Sequence, residues 1–104
     1  MKLNIMERIM ILQLLPKEGN FLTLNLVRKL QSVLAPSEKE LIDFEIKQVD
    51  NMTTWNEKGR EEIEIEIGEK SADVIIEALE KLDKEQKITA NHMSIYEKFV
   101  KNKD

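Results

Sequence analysis

Cysteine is absent from this 104-residue chain, which removes disulfide scaffolds, thiolate zinc sites and cysteine nucleophiles at once. Nothing in the sequence then calls for an oxidising compartment, and a cytoplasmic setting is expected. Glycine is scarce too. Gly19, Gly59 and Gly68 each stand alone, so neither a dinucleotide fingerprint nor a Walker-type phosphate loop can be assembled. The single histidine, His92, has Asn91 and Ser94 as neighbours but no strained nucleophile turn, and reads as a surface histidine beside a helix cap. One imidazole and no thiolate also fall short of the four ligands of structural zinc.

Long apolar runs are missing as well. Met1 to Leu15, where Ile9 to Leu12, Leu14 and Leu15 crowd together, is the most apolar stretch, but Glu7, Arg8 and Gln13 interrupt it, it is far short of a membrane span, and no small-residue cleavage site follows. A buried helix is expected there, with neither a signal peptide nor a membrane anchor. Positive charge is in deficit, 16 Lys and Arg against 20 Asp and Glu, for a net charge of −4. Residues 1 to 36 carry +3 and the remainder −7, so most of the surface should repel nucleic-acid phosphates and anionic membranes and attract a basic protein surface.

What the chain does have is a strict alternation. In Glu61-Glu62-Ile63-Glu64-Ile65-Glu66-Ile67-Gly68 an extended backbone puts Ile63, Ile65 and Ile67 on one face and Glu62, Glu64 and Glu66 on the other. This predicts a half-buried strand with a solvated acidic face. Those carboxylates are too splayed for a calcium cage, and no Asp-x-Asp-x-Asp-Gly loop occurs.

Helical periodicity frames the strand. A first helix is expected from Asn4, a capping residue, to Leu15, closed by Pro16. A second, from Thr23 to Leu34, places Leu26, Val27, Leu30, Val33 and Leu34 on one stripe. Ser37 and Glu40 form a capping box that opens a short third helix. Phe44, Ile46 and Gln48 then alternate with Glu45, Lys47 and Val49, Asp50-Asn51 supplies a turn, and Met52 to Trp55 returns as a hairpin partner. After the polar loop 56–60 and the isoleucine strand, a helix from Glu69 to Lys84 buries Ala72, Ile75, Ile76, Leu79 and Leu82. The last helix begins at Thr89, with Ile88 and Met93 as a staple and Met93, Tyr96 and Val100 as its inner edge, and Lys101 to Asp104 are expected to fray. The result is a single α+β domain: N-terminal helices, a small antiparallel sheet made of a hairpin plus one strand, and two C-terminal helices. The order helix, helix, short helix, hairpin also resembles a winged-helix domain. Its groove-reading helix would then hold Glu38, Glu40 and Asp43 against Lys39 alone, a poor match to DNA phosphates.

Two segments have a familiar wording: Leu14-Leu15-Pro16-Lys17-Glu18-Gly19-Asn20-Phe21, and Leu82-Asp83-Lys84-Glu85 through Ile88-Thr89 to Tyr96-Glu97-Lys98-Phe99. Together they resemble small uncharacterised proteins encoded by bacteriophages and prophages, over most of the chain. The resemblance implies a bacterial cytoplasm during infection and an interaction device aimed at host machinery, including defence systems. It supplies no active site.

No catalytic or cofactor motif is found, so the expected function is non-enzymatic binding of a host or phage protein. Candidate contact residues are Trp55, Asn56, Lys58 and Arg60 of the hairpin loop and Glu62, Glu64 and Glu66 of the acidic strand face, because aromatic and arginine side chains dominate binding hot spots. Trp55 has a second reading, a pin that holds the hairpin on the core. Two alternatives stay open: a winged-helix nucleic-acid regulator, and a homo-oligomer binding a nucleotide-like signalling molecule through Arg28, Lys29, Lys58 or Arg60.

Overall fold

A computed structural model gives the structure of residues 1–101. Strand β1 (Lys2–Leu3) leads into α1 (Ile5–Leu14), α2 (Phe21–Leu34) and α3 (Glu38–Asp43). A hairpin of β2 (Lys47–Val49) and β3 (Met52–Thr54) follows, then a 3-10 turn (Glu57–Arg60), β4 (Ile63–Glu64) and α4 (Glu69–Lys84). The last helical segment changes pitch twice: a 3-10 turn (Ala90–His92), α5 (Met93–Tyr96) and a π turn (Glu97–Lys101). The expected fraying of Lys101 to Asp104 falls, beyond Lys101, outside the described residues. With 61% helix and 10% strand the chain is α+β, and helix packing supplies most of the core.

Capping chemistry sets the helix starts. The Glu7 amide donates to Asn4 Oδ1 at 2.8 Å while Asn4 donates back to Glu7 Oε1 at 3.0 Å. Asn20 accepts from the Thr23 amide at 2.8 Å, which starts α2 at Phe21, two residues earlier than the apolar stripe suggests. Ser37 and Glu40 close the anticipated capping box at 3.2 and 2.9 Å.

Two helix ends use a residue with positive φ where glycine would be easiest. Glu45 (φ 49°) follows α3 and Gln86 (φ 60°) follows α4. In each the next amide reaches back five residues, Ile46 to the Leu41 carbonyl at 3.0 Å and Lys87 to the Leu82 carbonyl at 2.8 Å. A side chain in this left-handed region is strained by roughly 1 kcal/mol. Gln86→Gly should therefore stabilise the protein by about 0.5–1 kcal/mol in urea unfolding, since no side-chain partner is lost.

The core joins Leu3, Ile11 and Leu15 to Val27, Leu30 and Leu34 of α2, Val74 to Ile76 and Leu79 of α4, and Ile95 and Phe99 of the last segment. Each such side chain contributes about 1.5–3 kcal/mol of burial. Helix α1 lies inside, as its composition implies, yet Glu7 and Arg8, which interrupt its apolar run, are also buried, 1% and 2% exposed. The most buried residues of the last segment are Ile95 and Phe99, one position before the expected Tyr96 and Val100, which pack half-buried against the core beside them. Met93 is 51% exposed, because the change of pitch rotates the buried stripe. Val33 likewise falls outside the packed stripe of α2.

His92 is buried where a surface position was expected. Its Nδ1 accepts the Thr89 amide at 2.9 Å, so the imidazole is the distal half of a capping box. Burial lowers its pKa, and neutral His92 contributes stability above the ordinary histidine range that is lost as pH falls through its lowered value.

The isoleucine segment alternates as expected, with Ile63, Ile65 and Ile67 half-buried and Glu62, Glu64 and Glu66 exposed, but only Ile63–Glu64 of it is strand. Its partner differs from the expected hairpin. Antiparallel β1 pairs with it, Lys2 against Glu64 and Leu3 against Ile63, while β2 and β3 form a separate two-stranded sheet. A two-residue strand is too short to show period two, which is why β1 leaves no trace in the sequence.

Candidate partner-binding surface

The hairpin turns on Asp50 and Asn51, both at positive φ (49° and 67°), a type I′ geometry that Asn and Asp tolerate best after glycine. Its register pairs Lys47 with Thr54, Gln48 with Thr53 and Val49 with Met52. Side chains alternate across a strand, so Lys47, Val49, Met52 and Thr54 share one face. That face is fully in solvent, with Val49 55% and Met52 67% exposed. The opposite face is partly covered at Thr53.

Helix α3, at the foot of the hairpin, adds Leu41 and the 77%-exposed Ile42. The foot is tightly fixed. Asn56 donates its amide to the Phe44 carbonyl at 2.8 Å and its Nδ2 to the Asp43 carbonyl at 3.0 Å and Glu45 Oε2 at 3.1 Å. Its Oδ1 accepts from the Lys58 amide at 3.0 Å and so caps the 3-10 turn. Trp55 lies over Gly59, where an added Cβ would stand 2.5 Å from the indole Cδ1.

Below this platform, Arg8 of α1 crosses to the junction of α2 and α3. Its Nε donates to the Leu34 carbonyl at 3.0 Å and Nη2 to the Ala35 carbonyl at 3.2 Å, satisfying the open end of α2. The same guanidinium grips Glu40 in a fork, at 2.6 Å to Oε2 and 3.1 Å to Oε1. The Arg8 hydrogen bond is the main reason the Glu40 pKa falls to about 2. Arg8 thus sets where α3, and the hairpin tied to it, stand on the core.

The seven candidate contact residues separate. Trp55 and Asn56 are half-buried: the Trp55 indole lies over Gly59 of the 3-10 turn and outside the main core cluster, and Asn56 ties the foot of the hairpin to the end of α3. Lys58 and Arg60 are exposed on the 3-10 turn beside the platform. Of the acids, Glu62 is ion-paired with Lys98 and Glu64 with the terminal ammonium of Met1, and these cations hydrogen-bond them and lower their pKa values. Only Glu66 of the three acids has no ion pair among the described residues. The acidic face is therefore largely engaged with the chain itself.

The exposed apolar residues Leu41, Ile42, Val49 and Met52 were not among the candidates. Their signal existed: the alternation already put Val49 beside Lys47 and Glu45 on the outward face. Among the described residues no group of three or more His, Asp or Glu converges to hold a metal, and no helix is long and apolar enough to cross a membrane. Comparison with protein-family models, with curated proteins and with solved structures finds no match.

Proposed function

We propose that this chain is a small acidic protein-binding module that acts without catalysis, encoded by a bacteriophage or prophage and directed at a host or phage protein in the bacterial cytoplasm. One observation carries the reading: Leu41, Ile42, Val49 and Met52 stand in solvent on a helix and hairpin that the rest of the chain braces. Exposed aliphatic and thioether side chains on a braced platform lose little freedom on binding and gain apolar burial, and methionine adapts its shape to the partner. Lys58 and Arg60 at the edge would steer an acidic rim of the partner and set the association rate. The resemblance to phage-encoded proteins supplies the setting.

Val49→Asp with Met52→Asp tests this. Both positions are exposed, so stability should change by less than about 0.5 kcal/mol each. Two charges at the centre of the contact should weaken capture of the partner from infected-cell lysate by about a hundredfold or more. Capture equal to that of the unaltered protein would refute the reading. Trp55→Ala is a poor substitute because it removes the packing on Gly59 and disturbs the platform itself.

A further inference from the structure

Helix α2 has one face in the core and a second that the described residues leave bare. Phe21 and Leu22, its first two residues, are 86% and 62% exposed, and Leu22, Leu26, Lys29 and Val33 follow at helical spacing along one side. That side borders α4. Leu26, Lys29 and Val33 line a groove with the start of α4, while Thr23 lines a hollow with Val74 to Leu82, so the two helices run antiparallel and Arg28 stands near the level of Asp73. The hollow holds about 390 Å³, and its apolar walls are Leu14, Pro16, Val74, Ala78 and Leu82. It lies level with Phe21 and Leu22. Single exposed apolar residues are ordinary, but a knob and a hole at one level of one face let two identical chains close on each other about a two-fold axis.

Charge decides how they close. Helix α2 carries Arg28 and Lys29 and no acid (+2), whereas α4 carries five acids against three lysines (−2). A two-fold axis across the helices would lay α2 on α2 and gather four cations. An axis along the helices lays α2 of each copy on α4 of the other, where opposite charges meet. We propose that the chain pairs with a second copy of itself in this second arrangement. Phe21 and Leu22 of each copy fill the hollow of the other, and Arg28 meets Asp73, both being exposed. Glu77, Lys81 and Glu85, the exposed charges that also line the hollow, stay at the edge of the contact. No residue of the hairpin platform belongs to this face, so the inference stands or falls independently of the proposed function.

Sedimentation equilibrium of the purified protein tests it. At about 0.1 mM the unaltered chain should sediment as a dimer. Phe21→Asp with Leu22→Asp should weaken pairing by about a hundredfold or more. Both positions are exposed and lie in the first turn of α2, where acids suit the helix dipole, so the unfolding midpoint of the dilute monomer should hold or rise. Arg28→Glu and Asp73→Lys should each weaken pairing about tenfold, and the two together should restore it, a rescue that α2 lying on α2 would not give. A benzophenone side chain in place of Phe21 should crosslink two copies. A monomeric unaltered chain, pairing that survives the two aspartates, an exchange of charges that fails to rescue, or a benzophenone at Phe21 that crosslinks only a different protein would overturn the proposal.

Discussion

Replacing Arg8 with alanine is expected to destabilise the protein by about 3–5 kcal/mol in chemical unfolding, a large part of the stability of a domain this size. The cause is local. The buried guanidinium is the partner of two carbonyls at the end of α2 and of the Glu40 carboxylate, and alanine leaves all three without it. Arg8→Lys should recover little, since a point ammonium cannot fork onto Glu40 while reaching Leu34 and Ala35. Glu40→Gln should cost less, about 1–2 kcal/mol, because Glu40 is partly open to water and the amide can still cap Ser37. The same pair predicts acid sensitivity. The Arg8 guanidinium holds folded Glu40 at about 2, well below the ordinary carboxylate range, so its contribution is complete above that range and is lost as pH falls toward 2. After allowance for its partial exposure this amounts to about 2 kcal/mol. Glu40→Gln should flatten the acid limb of the stability curve. A limb of unchanged steepness would show that the ion pair is not its source.

Lys98→Met is expected to cost about 3 kcal/mol, through a different part of the fold. Lys98 stands in the π turn and donates to Glu7 Oε1 at 2.8 Å, to the Lys2 carbonyl at 2.9 Å and to Glu62. Glu7 is 1% exposed, so without the ammonium its carboxylate keeps only the Asn4 amide in a buried setting. Burial pulls the Lys98 pKa down, but the hydrogen bonds to Glu62 and Glu7 outweigh it and raise the value above the ordinary lysine range. Its contribution is therefore fully present below that range and disappears as pH rises through the raised value. Glu7→Gln in the Lys98→Met background should restore much of the loss, because the neutral amide keeps the cap and removes the stranded charge. If the double variant is no more stable than Lys98→Met alone, the buried carboxylate is not what makes the single change costly.

These two ion pairs also mark where the sequence ceased to be legible. Apolar periodicity and capping residues predicted α4 to the residue, the Ser37 box, the Asp50-Asn51 turn and the face of each isoleucine, because each is a local preference written within a few positions. Arg8 with Glu40 and Glu7 with Lys98 are 32 and 91 residues apart in the chain, and nothing local distinguishes them from charges that face water. The same limit applies to His92, whose cap depends on a change from 3-10 to α to π pitch. Of the candidate contact residues, the position of Lys58 and Arg60 beside the hairpin was readable. The engagement of Glu62 with Lys98 was not, since it depends on how the C-terminal segment packs against β4.

Site-specific photocrosslinking in infected bacteria bears most directly on the central claim, that the outward face of the hairpin and α3 is where another protein docks. With a benzophenone side chain in place of Met52, the account predicts a crosslinked adduct to a different protein, and none when the same group replaces exposed Glu80 on α4. An absent adduct at position 52, an adduct only with a second copy of the chain, or equal adducts at both positions would contradict it.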